Sequence, residues 1–170
     1  MLIRDAVPSD WPRIWPFWQE IVSAGETYAW DRQTPEDEAR RLWMGPSARV
    51  FVVEIDSGPT SETGPESRRI VASAYVKPNY GGPAAAVANA GFMVDPAFGG
   101  RGVGRRLAEH VLGEAKRDGY RAMVFNAVVA TNPAVALWRS LGFTVLGTVP
   151  EAFDHPVHGP VGLHIMHRML

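Results

Sequence analysis

Cysteine is absent from this chain of 170 residues. That excludes disulfides, thiolate nucleophiles and sulfur-ligated metals. No apolar run approaches the roughly 20 residues that span a bilayer, and the opening MLIRDAVPSD lacks the apolar block of a signal peptide. An excess of charge of one sign is missing too. The formal net charge is −1, so the overall balance gives no reason to expect nucleic acid as a partner, and any positive field must be local. Internal repeats and low-complexity segments are also lacking. What remains is ordinary globular composition, 46 % hydrophobic and 21 % charged. The length suits one domain over residues 1–170. A cytoplasmic protein without membrane association is the expectation.

The hydrophobic pattern predicts a short strand at residues 2–6 and then a helix in SDWPRIWPFWQEIVSAG, capped at Ser9. Ile14, Phe17, Trp18, Ile21 and Val22 would share one side of that helix, and Pro16 should kink it or delay its start. Thr34-Pro35 and the acids after them start a second helix that reaches Trp43. RVFVVEI is a strand, DSGPTSETGPESRR a loose hairpin loop, and IVASAYVKP and VANAGFMV are further strands. VGRRLAEHVLGEAKRDGY is helical, with Val103, Leu107, Val111 and Ala115 at four-residue spacing. AMVFNAVV follows as a strand. NPAVALWRSLGF carries a full helix signature: Asn132 as N-cap, Pro133 in the first turn, Gly142 just past the end. TVLGTV and VGLHIMHRML close the chain as strands. The order predicts an α/β fold with a mixed sheet of about six to seven strands flanked by about four helices.

Between Val94 and the third helix, four glycines (Gly99, Gly100, Gly102, Gly104) and three arginines (Arg101, Arg105, Arg106) are gathered. Glycine lets successive backbone N–H groups converge with no Cβ in the way. The first amides of a helix lack partners, and the helix dipole favours an anion there. With the arginines beside them, the chemistry suits a pyrophosphate. Neither standard nucleotide pattern is present. No Lys-Ser or Lys-Thr follows the glycines, and Leu107 stands where a dinucleotide fingerprint needs its third glycine. A glycine-rich turn with solvated arginines is the alternative.

The stretch resembles motif A of the GCN5-related N-acetyltransferase (GNAT) family, [Q/R]-x-x-G-x-[G/A], with Gly99 where Gln or Arg is usual. NPAVALWRSLGF resembles that family's motif B, N-x-x-A-x-x-L-Y-x-x-x-G-F. VKPNYGGP, NAGFMV, VFNAVVATN, WRSLGF and the early GETYAW are similar to the amino-acid branch, in particular the enzymes that N-acetylate proline analogues.

The resemblance implies the GNAT fold, a mixed, mostly antiparallel twisted sheet of about six to seven strands flanked by about four helices, and acetyl transfer from acetyl-CoA, as cosubstrate and without a metal, to a small-molecule amine. The residues from Gly99 to Gly104 (Gly99, Gly100, Arg101, Gly102, Val103, Gly104) with Arg105 would hold the pyrophosphate. The pantetheine arm would run beside Phe92, Met93 and Val94, whose side chains read as core. The Val94 amide would face the thioester oxygen. Asn89 and Asn126 would hold the amine and carboxylate of an amino acid, the alternative being internal hydrogen bonds that stitch strand to loop. Asn132 would cap its helix and touch pantetheine. Trp138 departs from the family's usual Tyr, which protonates the departing thiolate; indole cannot do so, and Trp138 reads as a core or CoA-packing aromatic. Glu26, Thr27 and Tyr28 fall in the loop that walls the acceptor site. Glu26 is the ionisable candidate for taking the amine's proton, with a water chain or an exposed structural carboxylate as alternatives. His155, His158, His164 and His167 are irregularly spaced, with no acidic cluster beside them, and no metal site is expected. An acyl-CoA-binding module without catalysis stays open as a second reading, as do antibiotic, polyamine or protein N-terminal acceptors. The family suggests a possible homodimer.

Overall fold

The computed structural model describes residues 1–56 and 68–170. Most of the hairpin loop expected at 56–69 therefore lies outside the described residues. The elements are β1 (Leu2–Asp5), α1 (Trp11–Ala24), α2 (Glu36–Trp43), β2 (Arg49–Asp56), β3 (Arg68–Pro78), β4 (Val87–Val94), α3 (Val103–Arg117), β5 (Ala122–Val129), α4 (Ala134–Ser140), β6 (Thr144–His155) and β7 (Gly159–Met169). This is the expected α/β architecture. The strands form one sheet in the order β1-β2-β3-β4-β5-β7-β6, antiparallel except for β4 and β5.

That exception positions the site. β4 and β5 run parallel and pair only at Val87↔Ala122 and Ala88↔Met123. Beyond those two pairs they part, and a wedge opens between them toward their C-terminal ends.

Each face of the sheet carries two helices. α3 lays Val103, Leu107, Ala108, Val111, Leu112 and Ala115 over Phe51, Val53, Ala72, Ala74, Val76, Ala88 and Ala90. Trp138 of α4 joins the same layer. On the other face, Trp11, Ile14, Phe17, Trp18 and Val22 of α1 and Ala39 and Trp43 of α2 cover Val50, Val52, Ile70, Tyr75 and Met93. The strand residues of the two sets alternate, as side chains on a pleated strand must.

The start of α1 corrects the sequence reading. Ser9 lies inside a single 3-10 turn, Pro8–Asp10, and Asp10 takes the N-cap position. Asp10 is 1 % exposed; its carboxylate accepts the Val7 amide (2.8 Å) and pairs with Arg4 (2.7 Å) and Arg13 (2.6 Å). A carboxylate so committed fixes the chain entering the helix, and a serine hydroxyl could not hold two guanidinium groups. Pro16 neither delays nor ends α1, which runs from Trp11 to Ala24 around it. The packing of the tryptophan face outweighs one missing backbone hydrogen bond. α4 is capped as expected: Asn132 Oδ1 accepts the Ala134 amide (2.9 Å), Gly142 sits at φ 86°, and the Phe143 amide reaches back to the Trp138 carbonyl (3.0 Å).

Candidate active site

The glycine loop joins the end of β4 to α3. Asp95 opens it, accepting the Ala97 amide (2.9 Å) and the Arg69 guanidinium (2.7 Å). Arg69 and Arg101 lie over the Phe98 ring at 4.9 and 5.1 Å. Gly100 (φ +72°) and Gly102 (φ +76°) take left-handed backbone, and a Cβ built on either meets nothing within 4 Å. Their conformation, rather than crowding, demands glycine there. Such backbone turns amides toward a common point, and the amides of Val103, Gly104 and Arg105 follow with no carbonyl one turn back. At Gly104 a Cβ would stand 3.5 Å from Val94 and 3.9 Å from Leu137, so the helix start rests against β4 and α4. The side chain of Val103 is 6 % exposed and belongs to the core. Arg105 points away along the helices, to Ser140 Oγ (2.8 Å) and Glu109 (3.7 Å).

The wedge continues this loop. The Asp95 amide donates to the Val71 carbonyl (2.8 Å), toward β3. Strand alternation then turns the polar groups of Val94 and Phe92 the other way, to the open side. At Phe92 they are taken. The Tyr28 hydroxyl donates to its carbonyl (2.8 Å) and accepts its amide (3.0 Å). A side chain from the loop after α1 thus stands in for a strand partner. Burial pushes the Tyr28 phenol far above its ordinary range, so it stays neutral. The loop is aimed by Gly25, which ends α1 at φ +71°. Arg32 closes it with a hydrogen bond to the Ser23 carbonyl (2.7 Å). In the same loop Thr27 is half-buried and Glu26 exposed.

Behind Tyr28 lies a wall of rings. Trp30 stacks on Tyr28 (4.7 Å between centroids), and Trp43 meets both Tyr28 and Tyr75 edge-on (6.3 and 5.0 Å). The Trp43 indole N–H donates to Ser73 Oγ (2.9 Å), which donates on to the Phe51 carbonyl (2.9 Å). Burial pushes the Tyr75 phenol up to about 12. Its ring lies over Gly91, where a Cβ would come within 2.4 Å of it, so that position has room for glycine alone.

Asn89 lies at the point where β4 and β5 part. Its Nδ2 donates to the Val124 carbonyl on β5 (2.9 Å), and its Oδ1 accepts the Tyr75 hydroxyl (3.3 Å). Asn126 is exposed at an irregularity in β5, and its amide exchanges hydrogen bonds with that of Asn79 (2.7 and 3.2 Å). Met93 is 2 % exposed in the α1/α2 core. On the opposite face the Trp138 ring packs against Phe92 (4.9 Å), Phe125 (4.9 Å) and Phe143 (6.0 Å). His155 and His164 are occupied in the β6–β7 hairpin, His155 Nδ1 by the Val157 amide (3.1 Å) and His164 Nδ1 by Thr148 (2.7 Å).

The model of the Acetyltransferase (GNAT) family matches residues 15–143. The chain belongs to that family. Among GNAT structures, a GCN5-related N-acetyltransferase from Kribbella flavida is 52 % identical, with a TM-score of 0.87 over 99 % of this chain and 97 % of that one. The Salmonella typhimurium protein yncA, solved with its cofactor acetyl-CoA, is 26 % identical with a TM-score of 0.76 over 100 % of this chain and 94 % of that one. The N-acetyltransferase aca1 of Schizosaccharomyces pombe is 33 % identical over 137 residues, 77 % of this chain. The chain spans 66 % of that relative's length.

Residue-level reading of the sequence missed Tyr75, Lys77 and Asn79. They sit in YVKPN, and the signal was available: Tyr75 and Lys77, two apart in a strand, must share a face, and polar residues on an otherwise apolar strand face require partners.

Proposed function

We propose that this GNAT protein transfers the acetyl group of acetyl-CoA to the amine of a small amino acid or analogue. The observation that carries the proposal is the parting of β4 from β5. It leaves one strand edge with polar groups facing open space, continuous at its end with the glycine loop.

The loop fits a pyrophosphate by its alternating backbone and unpaired first-turn amides, the strand edge at Val94 fits an extended amide-bearing arm, and a relative holds the same molecule. The residues from Gly99 to Val103, with Gly104, would hold the diphosphate. Arg101 supplies charge at the loop, and Arg105 steadies α3 against α4. Bound acetyl-CoA supplies an acyl group activated as a thioester. The Val94 amide is placed to donate to an oxygen gaining negative charge, and Tyr28 holds the neighbouring stretch of strand rigid. Asn89 orients the acceptor where the strands part, and Asn126 with Asn79 borders it. Glu26, exposed two residues before Tyr28, takes the proton of the incoming ammonium directly or through water. Trp138 offers no acid to a departing sulfur. With an ordinary thiol pKa near 8.5, about one and a half units above neutral, strong assistance there is not required.

The test is a panel of amino acids, their analogues, polyamines and an N-terminal peptide, each with acetyl-CoA, reading released thiol. We expect release with an amino-acid acceptor. Tight CoA binding with no release across the panel would make the chain an acyl-CoA-binding module.

Cytoplasmic location and a homodimer belong to the same proposal. The dimer is supported by edge strand β6, which leaves Leu146 and Val149 64 % and 50 % exposed; light scattering reads it directly. Among the described residues no helix is long and apolar enough to cross a membrane.

A further inference from the structure

The half-buried arginines of this protein have partners of their own: Arg168 donates to the Leu141 carbonyl, and the other two meet carboxylates. Arg4 rests on Asp10 and Glu54, Arg49 on Asp5, Glu114 and Asp118. Lys77 is different. It is half-buried near the end of β3, and among the described residues no carboxylate lies within ion-pair distance of it. Its ammonium lies over the Tyr75 ring, 5.1 Å from the centroid. Lys77 is also the register partner of Asn89 on β4, so it projects on the face where Tyr75 and Asn89 meet, beside the parting strands.

A cation held against an aromatic face is partly desolvated, and an anion completes it. The amides nearby cannot serve that purpose alone. Asn89 Nδ2 is already engaged by the Val124 carbonyl and Asn126 Nδ2 by Asn79. An amide dipole does not neutralise a carboxylate set against rings. Lys77 does.

We propose that Lys77 receives the carboxylate of the acceptor, and that the substrate class is amino acids with a free α-carboxylate. This rests on the proposed acetyl transfer. The Lys77 ammonium leans over Tyr75, the register partner of Gly91 on β4, about 4.8 Å away, so a carboxylate there sets its amine, one carbon further on, beside the Gly91–Phe92 stretch of β4 and toward Val94. The same charge repels polyamines and polycationic amines, and offers a carboxamide a hydrogen bond without the ion pair.

The test uses the full chain saturated with CoA or acetyl-CoA, L-azetidine-2-carboxylate, and its primary amide. Binding is read by tryptophan fluorescence, since Trp30 packs against Tyr28 and Trp43 against Tyr75, and turnover by released thiol. We expect the wild type to bind the acid at least ten-fold more tightly than the amide. Lys77→Met should remove that preference, raising KM for the acid ten-fold or more with kcat within about three-fold. Lys77→Arg should restore part of it. CoA affinity and the melting temperature should be unchanged in both variants, which separates a lost contact from a lost fold. A wild type that binds acid and amide alike overturns the proposal, as does a Lys77→Met protein with unchanged preference. Carboxylate-selective, Lys77-dependent binding with no thiol release from any acceptor would keep the anion site and sink the acetyl-transfer reading instead.

Discussion

The two faces of the sheet are built from different materials. The layer under α3 is largely aliphatic: Leu107, Val111, Ala108 and Ala115 are wholly buried over Val53, Ala72, Ala74 and Ala88, and the Phe125, Trp138 and Phe143 rings of that face gather by α4. The α1/α2 face is aromatic, and its rings bring polar ends with them. Trp43 is bonded to Ser73, Tyr75 to Asn89, Tyr28 to the backbone of Phe92. The Trp18 indole N–H, buried among the other rings, finds no partner among the described residues. An aliphatic layer can hold a fold but cannot recognise anything. A layer of amphipathic rings, each with two side-chain torsions to fix, buries large area and still presents donors and acceptors at set positions. The aliphatic layer under α3 and the aromatic wall beside the acceptor are thus separate, and each can be damaged without the other.

Leu107→Ala breaks the aliphatic side. The residue is fully buried under α3, and its truncation should destabilise the protein by about 2–5 kcal/mol. Urea denaturation reads the loss, while acceptor KM at a permissive temperature should stay within about two-fold. A matching rise in KM would show that the two faces are not independent.

Charge draws the same contrast. On the α3 side Arg49 meets Asp5 and Asp118, whose side chains are 60 % and 36 % exposed, and such pairs contribute little in water. On the α1 side the Asp10 carboxylate is buried. Burial opposes its charge, but hydrogen bonds from Arg4, the Val7 amide and Arg13 outweigh that, and its pKa is pushed down to about 2 from 3.8. A carboxyl lowered on folding stabilises the native state above its unfolded value, and the benefit is lost as pH falls through the folded one. Stability should therefore fall by on the order of 2 kcal/mol between about pH 4 and pH 2. Asp10→Asn should flatten that part of the profile and lower the plateau above it. A profile that keeps its full slope in the variant would assign the acid sensitivity elsewhere.

What the sequence disclosed follows the same division. Local chemistry was readable. The glycine loop, the Asn132 cap and Gly142 depend on neighbours within a few residues, and each has the structure its residues predict. Long-range partners were not. Asn89 and Asn126 could be placed on strands, but that Asn89 would meet Val124 and Tyr75, and Asn126 would meet Asn79, depends on sheet order and register. Strand β6 shows the limit from the other side. Pro150 reads as its end, yet pairing resumes at Phe153↔Val161, because Pro150, Glu151 and Ala152 bulge out of the ladder with Glu151 at φ 50°. The partner strand, not the local pattern, decides that continuation.

Tyr28 joins the two materials, since its ring belongs to the aromatic wall and its hydroxyl to the edge of β4. Tyr28→Phe keeps the ring, the stack on Trp30 and the edge contact with Trp43, and deletes one oxygen. Both polar groups of Phe92 then lose their partner. Because the wedge is open, water can replace part of what is lost. The expected cost is about 1 kcal/mol, the smallest of the three. The effect on rate should be larger than the effect on stability. Val94 lies two residues beyond Phe92 on the same edge, and a strand freed at Phe92 holds the Val94 amide less rigidly where charge develops. We therefore expect kcat to fall several-fold with CoA affinity within about two-fold. If kcat is unchanged while stability drops, Tyr28 is a fastener of the wall and nothing more. If CoA affinity falls in step with kcat, the hydroxyl lies within the coenzyme's own path along β4.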